Sequence, residues 1–248
     1  MDEGKRLSIV TIVDEPYFGF IPLFQHCVEK VYPKAACLVF TRGDSGYPGT
    51  LKIDSDPFTK SHYTTAALRF LMANRDMLNS DYTLITDVDI LFKPEKIPLV
   101  DQHLNHMKAN GLTCYSNSDH GDHMSGVHFV TQEWWTATCE ARFKYLKELE
   151  TREVGLGEDE QILWNVVTES NLSKVRNTML WNVHGLHLGR FRNKSIKAVR
   201  FKPDEAVFIG SLLADEVFMQ LLDDSCEKCP TLRNEWTTLM AIYTGRYK

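Results

Sequence analysis

The chain has 248 residues, 43% hydrophobic and 25% charged, a composition that excludes a disordered, collagen-like or coiled-coil protein and suffices for one large core. Its 28 basic and 33 acidic residues give a formal charge of −5, so nothing in the balance points to a nucleic-acid partner. No apolar run approaches the ~20 residues that span a bilayer, and Asp87 and Asp89 interrupt the best stretch.

Met1 to Arg6 is charged and leads into a β-branched segment too short for a secretory signal core. The expectation is a soluble cytoplasmic protein, with peripheral membrane association left open. Residues 7–13 form a continuous apolar run ending at Asp14, the pattern of a buried parallel strand whose C-terminal end meets a polar loop. Pro22, Leu23, Phe24, Cys27, Val28 and Val31 then have helical spacing, closed by Pro33. A second strand over 36–40 is followed by the turn-rich stretch 43–49, and a helix is predicted from Tyr63 to Leu78. Residues 82–92 read as a strand carrying two acids, with further strands over 111–116 and 126–130 separated by a polar loop. Thr131 can cap a helix over 132–150, with Trp134, Trp135, Phe143, Leu146 and Leu149 on or near its buried side. A helix over 159–170, a strand at 179–183 and two helices over 204–222 and 231–243 complete the chain. The alternation predicts an α/β fold with a central, mostly parallel sheet flanked by helices. It also predicts one domain over 1–202 and a helical extension over 203–248 packed on it.

Six cysteines scattered along a chain without a signal read as reduced thiols. Cys226 and Cys229 form a CxxC that suits half a zinc site or a redox pair, but no second CxxC or HxxxH accompanies it.

The strongest chemical signal is Asp87-Val88-Asp89. Successive strand side chains point to opposite faces, so both carboxylates serve one ion only if the chain leaves regular geometry here. Two carboxylates suit a hard divalent cation, Mn²⁺ or Mg²⁺, able to neutralise charge on a departing nucleotide diphosphate. Neutral imidazole can complete such a site: His187, between two leucines and before Gly189, is the first candidate and His184 its competitor. Asp14 and Tyr17 lie where open α/β sheets bind ligands, and a nucleotide base and ribose fit there; Tyr17 also reads as a helix-start aromatic. Glu158 and Asp159 open a helix, either as ordinary dipole-favoured acids or as carboxylates available for general acid–base chemistry. Arg190, Arg192 and Lys194 either neutralise a diphosphate or form a solvated basic strand end. His120-Gly121-Asp122-His123 reads as an acceptor-side loop rather than a hydrolase metal cluster.

The segment Leu84-Ile85-Thr86-Asp87-Val88-Asp89-Ile90-Leu91 resembles the hydrophobic strand and DxD metal motif of GT-A-fold glycosyltransferases. Further features follow in the order of the retaining family that contains glycogenin and bacterial lipooligosaccharide galactosyltransferases. Thr64 to Phe70 is similar to the helix whose arginine, matched by Arg69, reaches the donor sugar. Ser125-Gly126 with Trp134-Trp135 resembles the small-residue strand and tryptophan helix, Asp159-Glu160-Gln161 the acidic donor and acceptor motif, and His184 to Gly189 the C-terminal metal histidine. The resemblance spans about residues 7–192 and departs from the family at Met124, at Gln161 and in the terminal basic motif. The compact size is also similar to that of small virus-encoded sugar transferases. What it implies is a metal-dependent transferase of a sugar, most simply from a UDP-sugar, to a hydroxyl of a glycan, with retention favoured over inversion. Donor contacts are then expected from Thr11, Val13, Asp14, Tyr17, Thr65, Arg69, Asp87, Val88, Ser125, Gly126, Gly189 and Arg190. Asp159 and Glu158 would be catalytic, and Asp87, Asp89 and His187 the metal ligands.

Two other functions share these residues. A strand followed by DxD is also the first motif of haloacid dehalogenase-type phosphatases, although Leu91 and the long preceding segment depart from it. A non-catalytic sugar- or nucleotide-binding module would also use this fold.

Overall fold

The computed structural model describes residues 6–53, 56–73, 75–118, 121–173, 184–192 and 201–246. The strand expected at 179–183, Lys194 and His120 lie outside them. The chain forms two compact units, one of Met1–Asp14, Lys34–Asp87 and Glu95–Asn182, the other of Glu15–Pro33, Val88–Pro94 and Val183–Lys248.

The first unit is built on β1 (Leu7–Asp14), β2 (Ala36–Arg42), β3 (Thr50–Lys52), β4 (Tyr82–Ile85), β6 (Tyr115–Ser116) and β7 (His128–Thr131). They lie in the order β3-β2-β1-β4-β7-β6, parallel from β3 to β4, with β7 antiparallel to both β4 and β6. This is the expected α/β class with a mostly parallel sheet. Seven of the eight residues of β1 are buried, because a central strand covered on both faces has no solvent side on which to alternate. Helix α2 (His62–Leu71) packs on β1 and is buried around most of its circumference, and its N-cap Ser61 accepts from the Tyr63 amide. Around it lie α3 (Arg75–Leu78), α4 (Leu99–Asn110), α5 (Gln132–Ala137), α6 (Cys139–Leu149) and α7 (Glu158–Glu169).

The second unit holds a 3₁₀ turn at Glu15–Phe20, α1 (Ile21–Val31) and the antiparallel pair β5 (Ile90–Phe92) and β8 (Gly185–His187). A second 3₁₀ turn, Leu188–Phe191, and three helices follow, α8 (Pro203–Leu213), α9 (Glu216–Lys228) and α10 (Pro230–Tyr243). Ile21, Leu23, Phe24 and Val28 of α1 are fully buried, and Phe24 meets Phe92 of β5 edge-on at 5.7 Å. Each such side chain contributes roughly 1.5–3 kcal/mol on leaving water.

Several expected elements are corrected. The strand over 82–92 is two strands in two sheets: regular geometry ends at Ile85, Val88 and Asp89 turn, and β5 resumes with β8 as partner. The helix over 63–78 ends at Leu71. The helix over 132–150 breaks at Thr138, whose hydroxyl donates to Trp134 O at 2.7 Å and accepts from Arg142 Nε at 3.0 Å. Phe143, placed near the buried side, is 61% exposed. The C-terminal segment forms three helices rather than two, because the Asp215 side chain caps α9 on Phe218 N and Pro230 starts a new helix after Cys229. Helix α4 and strand β3 were not anticipated. Among the described residues no helix is long and apolar enough to cross a membrane. The Cys229 thiol is buried and donates to Pro16 O at 3.4 Å, which is packing chemistry.

Candidate functional site

In the first unit the expected donor residues gather at the C-terminal ends of the parallel strands. Thr11 and Val13 are buried within β1, and Asp14 ends it. The Thr65 hydroxyl of α2 donates to Asp14 Oδ2 at 3.2 Å and accepts from Arg42 Nη1 at 3.0 Å. Burial pushes the Asp14 carboxyl above the usual carboxylate range, and the Thr65 hydrogen bond opposes this only in part. Arg42, which the motif reading missed, also donates to Asp56 Oδ2 at 2.5 Å and to the carbonyls of Phe58 and Thr59 at 3.1 and 2.9 Å, tying the 56–61 segment to the end of β2.

Arg69 stands on the same helix as Thr65 and is only 5% exposed. Its Nη1 donates to Asp87 Oδ1 and its Nη2 to Asp159 Oδ2, the latter at 3.2 Å. One buried guanidinium thus joins the end of β4 to the first turn of α7. Such charges are tolerated inside a protein only when paired, and removing one member strands the others. A Cβ on Gly126 would lie 2.9 Å from Arg69 Nη2 and 3.0 Å from Asp87 Oδ2, so any larger residue there would have to push these side chains aside. The loop carrying Gly126 is held by Asn117. Its Oδ1 accepts from Ser125 N and Ser125 Oγ at 2.9 and 3.0 Å, and its Nδ2 donates to Ser125 O at 3.1 Å and His128 Nδ1 at 2.9 Å. Glu158, unlike Asp159, points back along its own turn: it accepts from Gly155 N at 2.6 Å and Arg152 Nη1 at 3.3 Å.

In the second unit β5 and β8 bring Asp89 to His187. The strands pair Ile90 with His187, and Leu188 N donates to Asp89 O at 2.8 Å, so the backbone itself sets the register. His187 Nε2 lies 3.2 Å from Asp89 Oδ1. Burial alone would lower the imidazole pKa, but the Asp89 and Glu235 carboxylates outweigh it, and the net shift is upward. A Cβ at Gly189 would stand 2.8 Å from both Asp89 Oδ2 and His187 Nε2, so the glycine leaves open the space these two atoms face. Gly185 is required for a different reason, since its Cβ would be 2.1 Å from Leu91 O. Asp87, one residue before the buried Val88 on the same continuous backbone, adds a second carboxylate, and Asp87, Asp89 and His187 make a set of donors that could hold a metal ion. His184 is not in that set. It is fully buried with φ 58°, and its carbonyl accepts from Lys93 N at 3.1 Å.

The basic residues beyond the histidine divide. Arg190 Nη1 donates to Glu205 Oε1 of α8 at 2.5 Å. Arg192 donates from Nη2 to Asp89 Oδ2 at 3.2 Å, from Nη1 to the Tyr17 hydroxyl at 2.8 Å and from Nε to Glu235 Oε1 of α10 at 2.5 Å. Burial first, then Asp89, push the Glu235 carboxyl up to about 7 against the opposing pull of Arg192. Glu235 was not singled out in the sequence. It adjoins the buried Trp236 on α10.

No protein-family model matches the chain, and no curated protein matches it in sequence. Among solved structures it is similar to the apo form of the glycosyltransferase GlyE of Streptococcus pneumoniae TIGR4, at 14% identity and a TM-score of 0.42, over 70% of this chain and 45% of that one. It is also similar to the galactosyltransferase LgtC in complex with donor and acceptor sugar analogs, at 16% identity and a TM-score of 0.34, over 64% of this chain and 70% of that one. The chain thus spans less than half the length of the GlyE structure.

Proposed function

We propose that this chain is a metal-dependent glycosyltransferase that moves a sugar from a nucleotide donor, a UDP-sugar, to a hydroxyl of a glycan acceptor with retention of configuration. The observation that carries the reading is the buried Arg69, which holds Asp87 and Asp159 together beside the backbone of Gly126. Asp87, Asp89 and His187 would hold Mn²⁺ or Mg²⁺, which when bound supplies positive charge to the departing nucleotide diphosphate. Asp14, Tyr17, Thr65 and the backbone around Thr11, Val13 and Val88 bind the nucleoside end. Ser125 and Gly126 shape the wall beside Arg69, while Gly189 and Arg190 flank the diphosphate. Asp159, paired with Arg69, faces the anomeric carbon and stabilises the positive charge that develops there. Glu158 supports the turn that presents Asp159. The catalytic domain spans 1–202 and the helical segment 203–248 extends it.

A phosphatase reading would need Asp87 as a nucleophile. Arg69 instead ties Asp87 to Asp159 in a buried ion pair, the arrangement the transferase reading uses.

Thermal-shift titration with UDP, GDP, CDP and ADP, with and without Mn²⁺, tests the reading. Stabilisation by UDP that requires Mn²⁺ and vanishes in both Asp87→Asn and Asp89→Asn is expected. Absence of any nucleotide response, or its survival in both variants, defeats the assignment. Turnover of a UDP-sugar distinguishes an enzyme from a binding module, and NMR of the product anomer decides retention.

A further inference from the structure

Helix α10 sends one carboxylate into the cluster of Asp89, Arg192 and Tyr17. Glu235 is 1% exposed, and its Oε1 takes the Nε–H of Arg192 at 2.5 Å. The two remaining arms of the same guanidinium are aimed, Nη1 at the Tyr17 hydroxyl at 2.8 Å and Nη2 at Asp89 Oδ2 at 3.2 Å, with the guanidinium carbon 5.1 Å from the Tyr17 ring centre. Arg192 keeps 37% of its side chain exposed, so it meets solvent where Glu235 cannot.

This arrangement is poor as a device for stability. Glu235 Oε2 is buried without a hydrogen-bond partner among the described residues. A buried carboxylate with half its acceptors idle carries a desolvation cost, and neutral groups of similar shape often leave such sites as stable or more so. Its value is geometric. A free arginine side chain samples many rotamers, whereas one fixed at Nε presents its two Nη groups as an oriented fork suited to anionic oxygens.

We infer that Glu235 is a positioning residue that locks Arg192 in the orientation facing Tyr17 and Asp89, which makes α10 part of the nucleotide-diphosphate site. The inference rests on the transferase reading for its ligand but not for its geometry. Three variants test it: Glu235→Gln, which keeps the shape and removes the charge, Arg192→Gln, and the double variant. Each is measured for UDP affinity with Mn²⁺ by calorimetry and for thermal unfolding without nucleotide. Glu235→Gln is expected to unfold at the wild-type temperature or above it while binding UDP about tenfold more weakly. In the Arg192→Gln background the same change should have no further effect on affinity. Wild-type affinity in Glu235→Gln, or losses that add in the double variant, overturns the inference. A second readout is independent of nucleotide: the Arg192 Nε–H should give a slowly exchanging NMR signal in the ligand-free protein that is lost in Glu235→Leu, which removes the acceptor, and its persistence there overturns the positioning role. A wild-type protein that keeps this signal but binds no UDP defeats the transferase reading alone.

Discussion

His128 offers a quantitative test of the interior of the first unit. The imidazole is fully buried in β7, with ring centres of Trp134, Tyr115 and Phe70 at 5.0, 5.6 and 6.2 Å. Asn117 sets its tautomer: because the amide oxygen faces the Ser125 N–H, the amide nitrogen must face His128 Nδ1, which therefore accepts and leaves the proton on Nε2. A second proton would have to enter at Nδ1, against an N–H donor and without solvent, and burial accordingly pushes the pKa down from 6.5 to about 3. The unfolded chain takes up that proton below pH 6.5 and the folded chain does not, so the contribution is complete above 6.5 and is lost progressively as pH falls towards 3. Each pH unit in that interval is worth about 1.4 kcal/mol, or about 5 kcal/mol over the whole range as an upper figure. His128→Phe keeps an aromatic in the cage but removes the acceptor, at about 1–2 kcal/mol at neutral pH. Urea unfolding between pH 7.5 and 4.5 should therefore show wild type ahead at pH 7, the two curves crossing near pH 5.5, and the variant ahead below that. Equal slopes on the acid side, or an imidazole that titrates near 6.5 by NMR in the folded protein, would refute the argument.

Four further outcomes follow from the geometry. Gly126→Ala places a Cβ 2.9 Å from Arg69 Nη2 and 3.0 Å from Asp87 Oδ2, and should weaken Mn²⁺-dependent UDP binding about tenfold with little change in unfolding temperature. Gly185→Ala must open the β5–β8 pair at Leu91 O and should cost about 3 kcal/mol by urea unfolding, with loss of metal binding because Asp89 and His187 flank that pair. Asp159→Asn should keep UDP affinity within about threefold and lower the transfer rate at least about a hundredfold in a UDP-release assay, and a wild-type rate would remove Asp159 from the mechanism. Asp215→Ala removes the cap on Phe218 N and the contacts to His26 and Lys30 at 2.9 and 2.6 Å, and should destabilise by about 1–2 kcal/mol.

The elements legible in the sequence are those whose burial leaves a one-dimensional trace. The continuous apolar runs of β1 and β4 could only be interior strands, and the DxD was required to leave strand geometry, as it does at Val88 and Asp89. Helix α4 escaped notice because its sequence carries Asp101, Gln102, His103, Asn105 and His106, and His103 is buried by stacking on Phe129 at 4.5 Å, which no hydrophobic count registers. The breaks at Thr138 and Asp215 depend on side chains bonding the backbone within a few residues, a choice that both residue types make only at particular angles. The motif reading and the family resemblance singled out Arg69, Asp87, Asp89, Asp159 and His187, and the structure sets Arg69 against Asp87 and Asp159, and Asp89 against His187. They did not single out Asn117, Arg42 or Glu235, whose partners belong to no shared motif: Ser125 and His128 for Asn117, the 56–59 segment for Arg42, and Arg192 for Glu235.

Buried charge separates the structural from the functional more sharply than residue type does. Arg142 is as buried as Arg69, yet each of its three nitrogens donates to an uncharged group: Nε to the Thr138 hydroxyl, Nη1 to Leu71 O at 2.8 Å and Nη2 to Trp135 O at 2.8 Å, with Trp135 beneath it at 5.0 Å. That guanidinium ends a helix, bridges a break and faces no acid, as a clamp should. Arg69 and Arg192 instead each bridge two carboxylates from segments distant in sequence, Asp87 with Asp159 and Asp89 with Glu235. Holding two acids beside one cation raises the local negative charge without gaining packing, and it leaves the cluster in need of a further positive charge. Each arginine thus fixes a pair of carboxylates that packing alone would not bring together.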